Sequence, residues 1–193
     1  MRKKLGIASM VLGAVLVLAA LLLWAYNRRE DAAAGAEAET AMQAVQEQIG
    51  GATAPADAAL DPEMPVATID GNEYVGYVAI PSIELELPVM ADWDYDKLKV
   101  APCRQFGSSR TDDLVIAGHN YKTHFGKLDR VAVGDAVTFT DMDGIVNEYT
   151  VEKIETLDPT MVDRVENSGY ALVLYTCTYS GQTRTTLFCS RVG

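Results

Sequence analysis

One stretch near the N-terminus limits what this chain can fold into: LGIASMVLGAVLVLAALLLW, from Leu5 to Trp24, has 20 residues and no charge. As a helix rising about 1.5 Å per residue, it spans ~30 Å, the hydrocarbon thickness of a bilayer. Trp24 and Tyr26 fall where interfacial aromatic residues are common. The sequence predicts a transmembrane anchor over residues 5–26. The alternative is a cleaved signal peptide, because AAAGAEA offers small residues for cleavage, but the run exceeds a signal-peptide apolar region of about 7–15 residues.

Charge is divided unevenly along the chain. Five of the 16 basic residues and none of the 27 acidic residues lie in residues 1–29, which leaves residues 30–193 with a net charge of −16. Phosphate binding needs Lys and Arg, so this composition excludes a nucleic-acid-binding protein. The basic MRKK segment predicts a cytoplasmic N-terminus, residues 1–4, by the positive-inside rule, although Arg28 and Arg29 weaken that bias. The remaining domain is then extracellular.

Between the apolar run and the first strand-like segments, residues 27–67 have the composition of an acidic, Ala-rich stalk. Met42, Val45 and Ile49 recur at helical spacing before a Gly-Gly pair, which predicts a helix that ends there. The segment ATAPADAALDPEMP that follows is typical of a flexible linker. The sequence leaves open whether this helix packs on the domain or acts as a spacer. The C-terminal domain is predicted over residues 68–193.

The domain is rich in short strand-like segments. EYVGYVAIP, IELELPVM, LVIAGH, YALVLYTCTY and RTTLFCSRV are apolar or β-branched runs broken by turn residues. AVTFTDMDGIVNEYTVEKIETL alternates as two strands joined at Asp143-Gly144. We prefer this hairpin to a calcium loop, because Tyr149 stands at the ninth position of such a loop and glycine at the fourth. DYDKLKVAPC is predicted to be a short helix, and the many short strands predict a barrel or sandwich.

The three cysteines are an odd count, which in an exported domain suggests a free and reactive thiol. Cys177 is the candidate, because it stands at the end of an apolar strand. Cys103 and Cys189 either form a disulfide or are buried apolar residues, since sequence alone does not give the distance between them.

Three polar residues stand at the ends of apolar strands: Cys177, His119 and Arg184. A cysteine nucleophile needs an acid–base partner with a pKa near neutrality, which histidine supplies, and a positive group or donor where the oxyanion forms. His119 at a strand end is preferred to His124 in the following loop, because a strand end holds a side chain more firmly. Arg184 is preferred to Arg191, which lies close to the C-terminus and is predicted to fray.

With these residues identified, the chain resembles the sortases, membrane-anchored cysteine transpeptidases of Gram-positive bacteria. YTCTYSGQTR matches the family's T-L-x-T-C and Arg signature, LVIAGHN followed by FGKLDRVAVGD matches its histidine strand, and VGYVAIPSIELELPV matches its opening strands. The resemblance covers residues 74–192. It implies a mostly β fold, a closed eight-stranded β-barrel with short helices. It also implies that Cys177, His119 and Arg184 are catalytic.

Three neighbours of these residues, Thr176, Asn120 and Tyr179, are weaker candidates for positioning a substrate. The resemblance leans towards class B-like members, on GHNYKTHFGKL and the TCTY context. Asp61-Pro62-Glu63 lacks the aromatic residue of the lid that pilus-assembling sortases often carry, so it is interpreted as linker. No cofactor is expected, and no metal site, because the two histidines and three cysteines show no metal-binding spacing.

The function implied by the resemblance is cleavage of a C-terminal sorting motif, LPxTG-like or NPxTx-like, through a thioacyl-enzyme, with transfer to an amine. Expected partners are surface proteins or pilins that bear the motif, an amine of a cell-wall precursor or a pilin, and the membrane through the N-terminal helix. One alternative is a surface Cys/His peptidase that hydrolyses its target. The other is a non-enzymatic anchored binding module that uses the barrel as a scaffold.

Overall fold

The structure, a computed structural model, describes residues 2–51, 61–178 and 180–192. The chain divides into two compact units, residues 1–33 and 34–193. One long helix, α1 (Arg2–Gly50), supplies the first unit and begins the second. Residues 52–60, which hold most of the predicted linker, lie outside the described residues.

In the first unit, α1 presents its apolar side chains to the outside. The side chains from Ile7 to Tyr26 are all exposed, with Leu12 at 60% and Leu22 at 67%. A helix that is apolar on every side needs an apolar environment around it. Among the described residues, α1 is the one helix long and apolar enough to cross a membrane, by length and composition. An N-terminal helix of this kind suggests a membrane anchor.

The second unit is built around a closed β-barrel. The strands are β1 (Ala67–Ile69), β2 (Asn72–Ile80), β3 (Leu85–Met90), β4 (Cys103–Phe106), β5 (Leu114–Gly118), β6 (Ala136–Asp141), β7 (Val146–Leu157), β8 (Leu172–Cys177) and β9 (Arg184–Arg191). Eight of them run around the barrel in the order β2-β3-β4-β5-β8-β9-β7-β6, and β6 pairs with β2 to close it. The short strand β1 only extends the pairing at the start of β2. The eight-stranded barrel implied by the family resemblance is confirmed.

Short helices fill some of the connections. α2 (Lys97–Val100) lies between β3 and β4, and α3 (Val162–Glu166) lies between β7 and β8. Two 3₁₀ turns, Pro81–Ile83 and Phe125–Arg130, follow β2 and β5. β5 and β8 are paired in parallel, so the chain makes a long crossover through β6 and β7 between them. That crossover brings the C-terminal ends of β5 and β8 to the same rim of the barrel.

Alternation along each strand separates the barrel interior from its outer face. Ile116 of β5 and Leu174 of β8 belong to the main core. Val115 and Val173, at the alternate positions, belong to a different buried cluster that also contains Val165 of α3. The outer face of β5 and β8 is therefore partly covered by α3, and residues in phase with Val173 point to this outer face.

The second half of α1 packs against the barrel. A stripe of residues spaced three or four apart is buried at 7% exposure or less: Ala34, Ala38, Met42 and Val45. Such spacing places them on one face of the helix. Close approach depends on small residues, because a side-chain carbon at Gly35 would lie 2.7 Å from Cγ2 of Thr123. The question that the sequence left open is thus answered for residues 34–49, which pack on the domain.

β6 and β7 form a hairpin whose turn carries Asp143 and Gly144, the latter with φ of +79°. Asp141 is completely buried and accepts hydrogen bonds from the backbone N–H groups of Asp143 and Ile145. Arg110, from the loop between β4 and β5, forms ion pairs with both Asp141 and Asp143. One guanidinium and two carboxylates thus hold the turn, and the predicted hairpin is confirmed.

Residues 61–66 lead into β1 without regular structure and lie against the barrel. Arg110 donates to the backbone carbonyls of Asp61 and Glu63 at 3.3 and 3.4 Å. Met64 is 3% exposed and its sulfur accepts a hydrogen bond from the Ser109 hydroxyl. The Asp-Pro-Glu segment is therefore tied to the loop between β4 and β5.

Candidate active site

Cys177 and Arg184 are placed together by the pairing of β8 with β9. Cys177 is the last residue of β8, Arg184 is the first of β9, and the two are direct partners across the antiparallel ladder. Partners of this kind share one face, with Cβ atoms about 4.5–5.5 Å apart. Since Cys177 is in phase with Val173, both side chains are on the outer face. Both residues are half-buried.

His119 reaches the same rim from β5. In the parallel pair of β5 and β8, Gly118 is in register with Thr176. His119 directly follows Gly118, and Cys177 directly follows Thr176, so the two residues are at equivalent positions. Neighbouring strands lie about 4.8 Å apart. The strand register therefore brings all three predicted catalytic residues, Cys177, His119 and Arg184, to one end of the barrel.

The loop after β5 is packed tightly around the start of the histidine segment. A side-chain carbon at Gly118 would lie 2.4 Å from Cδ2 of Phe125, so glycine lets the buried phenyl ring close against the strand end. The amide of Phe125 donates to the carbonyl of His119 at 3.1 Å. The side-chain amide of Asn120 donates to the carbonyl of Thr178 at 3.4 Å. Asn120 thus ties the histidine loop to the residue that follows β8.

Aromatic contacts surround His119. The Tyr121 ring stacks on the imidazole, with centroids 3.8 Å apart and 18° between the planes. Tyr121 also meets His124 edge-on, with centroids 5.5 Å apart. His124 is fully buried, and its Nε2 lies 3.4 Å from the carbonyl oxygen of Ala34 in α1. His124 therefore belongs to the contact between the loop and α1, and Tyr121, two residues after His119, is a neighbour that the sequence analysis missed.

The connection between β8 and β9 is a tight loop, consistent with the spacing of seven between Cys177 and Arg184. Gly181 has φ of +73°, a conformation that glycine adopts without strain. The amide of Thr178 donates to the carbonyl of Thr183 at 2.9 Å. The guanidinium of Arg184 donates to the carbonyls of Gly181 and Thr183, both at 3.2 Å. These bonds hold the cation beside the end of β8.

Two of the remaining candidates, Thr176 and Arg191, do not have their side chains beside Cys177. Thr176 is 4% exposed and in phase with Leu174, so its side chain supports the strand from inside and does not reach the outer face. Tyr179 lies outside the described residues. Arg191 is at the opposite end of β9 from Arg184, where its guanidinium binds Asp112, Asn147 and the carbonyl of Ser109. The predicted fraying of Arg191 is wrong, because these contacts hold its side chain.

Cys103 and Cys189 are fully buried and are not joined by a disulfide. Burial raises the pKa of each of these thiols to about 12. A thiol with so high a pKa carries almost no reactive thiolate near neutral pH. Of the three cysteines, only Cys177 is accessible.

A polar chain crosses the outer face next to Cys177. The Tyr175 hydroxyl donates a hydrogen bond to Oε1 of Gln105 on β4, and Nε2 of Gln105 donates to Glu166 of α3 at 3.3 Å. Burial raises the pKa of Tyr175 to about 12, so its hydroxyl stays a neutral donor. These two hydrogen bonds link β8, β4 and α3 at Tyr175, two residues before Cys177.

A cavity of about 660 Å³ lies beyond Gln105, which is one of its lining residues. Trp93 and Phe106 also line it and are 40% and 39% exposed. Tyr95, in edge contact with Trp93, is 73% exposed. Several exposed aromatic side chains in one place are typical of a surface that binds a ligand or partner.

The rim holds a thiol, an imidazole and a guanidinium close to one accessible face. These groups can act as nucleophile, as acid and base, and as the stabiliser of an oxyanion, which together support acyl transfer through a covalent intermediate. Within residues 2–51, 61–178 and 180–192, no three His, Cys, Asp or Glu side chains are grouped so that they could hold a metal ion.

Comparison with known proteins gives a consistent result. The family model of the sortase domain matches residues 78–192. Sortase C-3 from Streptococcus pneumoniae is 24% identical, with a TM-score of 0.56 over 84% of this chain and 85% of that one. Sortase C1 from Streptococcus agalactiae is 26% identical, with a TM-score of 0.55 over 65% and 70%. The sortase D5 transpeptidase from Clostridium perfringens is 15% identical, with a TM-score of 0.62 over 82% and 99%. No curated protein matches the chain.

These similar structures are class C and class D sortases, so the leaning towards class B-like members is not supported. That leaning depended on GHNYKTHFGKL and the TCTY context. Residues 118–128 form the end of β5 and the packed loop after it, and residues 176 and 177 form the end of β8. Since these parts position the groups at the rim, they carry little information about class.

Proposed function

The chain belongs to the sortase family of cysteine transpeptidases, and from this membership we propose that Cys177 is its nucleophile, His119 its acid and base, and Arg184 its oxyanion-stabilising cation. The observation that carries this assignment is the strand register: Cys177 is paired with Arg184, and His119 directly follows the residue in register with Thr176. The accessibility of Cys177, set against the burial of the other two thiols, supports it.

In the proposed first half-reaction, the thiolate of Cys177 attacks the carbonyl carbon of the scissile peptide bond, and a C–S bond forms. Arg184 and a backbone N–H near Cys177 stabilise the resulting oxyanion. His119, as imidazolium, gives its proton to the departing nitrogen as the C–N bond breaks. A thioacyl-enzyme and a free amine result.

In the second half-reaction, an acceptor amine attacks the thioester carbon, and an amide bond forms as the C–S bond breaks. His119, now neutral, takes the proton that the attacking nitrogen loses. The Cys177 thiolate is regenerated. Water in place of the amine would give hydrolysis by the same steps.

The proposed substrate is a surface protein or pilin bearing an LPxTG-like or NPxTx-like sorting motif, and the acceptor is an amine of a cell-wall precursor or a pilin lysine. The peptide would lie on the outer face between Cys177 and the cavity that Trp93 and Phe106 line. Their exposed rings offer apolar area for peptide side chains. Tyr179 and Asn120 remain proposed positioning residues, with Thr176 supporting β8 from inside.

We further propose that residues 5–26 of α1 span the membrane, with residues 1–4 in the cytoplasm and the barrel outside the cell. The uncharged run and the basic MRKK segment support this orientation. Residues 27–67 then connect the anchor to a catalytic domain over residues 68–193. In this arrangement the rim is in the same compartment as exported surface proteins and cell-wall precursors.

One experiment tests this function. The full chain in detergent is incubated with a small library of LPxTG-like and NPxTx-like peptides and a panel of amines, and products are read by mass spectrometry. The expected product joins the acyl part of one peptide to an amine and is absent with Cys177→Ala. Products formed with water alone, although amine is present, would favour a hydrolytic peptidase. Absence of product, together with a Cys177 that does not react with a thiol probe, would favour a binding module.

Arg184→Gln is expected to lower the rate of transfer about 10²–10³-fold, because it removes the charged donor for the oxyanion. Arg184→Lys should recover only part of the rate, since an ammonium keeps the charge but loses the planar fork of donors. Arg130→Gln is the matched control: Arg130 is exposed at the end of the 3₁₀ turn after β5, and its loss should leave the rate unchanged. A drop of less than about threefold in Arg184→Gln would contradict the assigned role.

A further inference from the structure

We propose that Tyr121 is a positioning residue for His119: its ring fixes the imidazole at the rim and favours the imidazolium form. The proposal rests on the proposed function, in which His119 is the acid and base. The observation behind it is the stacking of the two rings, 3.8 Å between centroids and 18° between planes. Tyr121 is two residues beyond His119, in the loop that follows β5.

The backbone on both sides of this contact is held independently of the rings. The carbonyl of Tyr121 accepts hydrogen bonds from the amides of His124 and Gly126, at 3.0 and 2.8 Å. A side-chain carbon at Gly126 would lie 2.6 Å from that same carbonyl oxygen, so the turn requires glycine there. The carbonyl of His119 is bound by the amide of Phe125. With the main chain fixed in this way, the stacking of Tyr121 on one face of the imidazole restricts the orientation of the His119 ring.

Tyr121 is supported from its other side. The buried ring of His124 meets it edge-on, with 68° between the planes. His124 in turn lies with Nε2 3.4 Å from the carbonyl oxygen of Ala34. Three rings in sequence, His124, Tyr121 and His119, therefore connect the packed half of α1 to the rim.

The stack also has an electrostatic consequence. The face of an aromatic ring is negative, so a ring over an imidazole stabilises the protonated form more than the neutral one. Among the described residues, strand register places Cys177 and Arg184 near His119: the thiolate of Cys177 would raise the pKa of His119, and Arg184 would lower it. Tyr121 acts in the same direction as the thiolate. It keeps the acid form of His119 available when the leaving amine needs a proton.

The test is an NMR titration of the imidazole signals of the full chain in detergent. The chain has two histidines, so His124→Gln assigns both signals, and a Cys177→Ala background removes the coupled titration of the thiol. Tyr121→Leu is expected to lower the pKa of His119 by about half a unit. Tyr121→Phe keeps the ring and is expected to leave it within about 0.2 units of the parent value. Retention of the amide spectrum shows that each variant is folded.

A transfer assay with Cys177 restored provides the second readout. Loss of the acid form makes the rate fall as pH rises through the pKa of His119. The basic limb of the pH–rate profile should therefore move to lower pH by about half a unit in Tyr121→Leu. It should stay in place in Tyr121→Phe. An unchanged pKa of His119 in Tyr121→Leu, or an equal drop in Tyr121→Phe, would overturn the proposal. Because the NMR titration needs no turnover, it remains valid even if no transfer is found.

Discussion

A methanethiosulfonate reagent is expected to modify the folded full chain at one sulfur, that of Cys177, and to abolish transfer. Cys103 and Cys189 are fully buried, and burial raises the pKa of each thiol to about 12. At pH 8 only about one in ten thousand of such thiols is ionised. Cys177 is half-buried on the outer face. Intact mass gives the number of labels, and peptide mapping gives the site.

The matching substitution, Cys177→Ala, is expected to lower transfer by at least about a thousandfold, because no other group at the rim can form the thioester. The unfolding temperature should stay close to that of the parent chain, since the lost sulfur is only half-buried. Cys103→Ala is the control: it should keep transfer and lose some stability through the cavity it leaves. Labelling of Cys103 or Cys189 in the folded chain, or substantial transfer by Cys177→Ala, would show that the nucleophile is misassigned.

Local sequence patterns were sufficient to predict the strands in which apolar and polar residues alternate and the strands that are buried on both faces. AVTFTD and the segment after Gly144 alternate with a period of two and form β6 and β7. LVIAG is apolar throughout because β5 is paired in parallel with β8 and is buried on both faces. β4 was missed, since it has four residues and two of them, Arg104 and Gln105, are polar. Its strand geometry comes from pairing with β5, which no local pattern reveals.

An anchor, a stalk helix and a linker were predicted as separate segments within residues 5–67, whereas α1 is one helix from Arg2 to Gly50. The alanines after Arg29 have high helix propensity and no proline interrupts them, so the helix continues through Gly35, whose cost is only about 1 kcal/mol. Its packing on the barrel depends on the approach of Gly35 to Thr123. A contact between residues so far apart in the chain cannot be read from helical periodicity.

The three residues at the rim could be identified because each stands at the end of an apolar strand and belongs to a motif. Their proximity follows from strand pairing, since the β8–β9 register joins Cys177 to Arg184 and the β5–β8 register adds His119. The contacts around them were not predictable in the same way. The bond between Tyr175 and Gln105 joins residues in different strands, and the stacking of Tyr121 depends on the shape of the loop after β5.

Arg110→Met is expected to lower the free energy of unfolding of the domain by about 3–5 kcal/mol. Side chains of Asp141 and Arg110 are 0% and 8% exposed, so their ion pair is removed from water. Without the guanidinium, the carboxylate of Asp141 stays buried without its counter-ion and next to that of Asp143. Denaturant unfolding of the full chain gives the change. A Trp24→Phe background leaves Trp93 as the one tryptophan reporter, because the chain has two tryptophans.

Two more variants distinguish the burial of charge from lost packing at this turn. Adding Asp141→Asn to Arg110→Met should restore a large part of the stability, because the amide oxygen still accepts the N–H groups of Asp143 and Ile145 and no charge is buried. Asp96→Ala, which breaks the exposed pair with Lys99, should change stability little. Unfolding of Arg110→Met at the denaturant concentration of the parent chain would mean that backbone hydrogen bonds alone stabilise the turn. A loss of stability that Asp141→Asn does not recover would mean that the packing of Arg110, and not the burial of charge, is responsible.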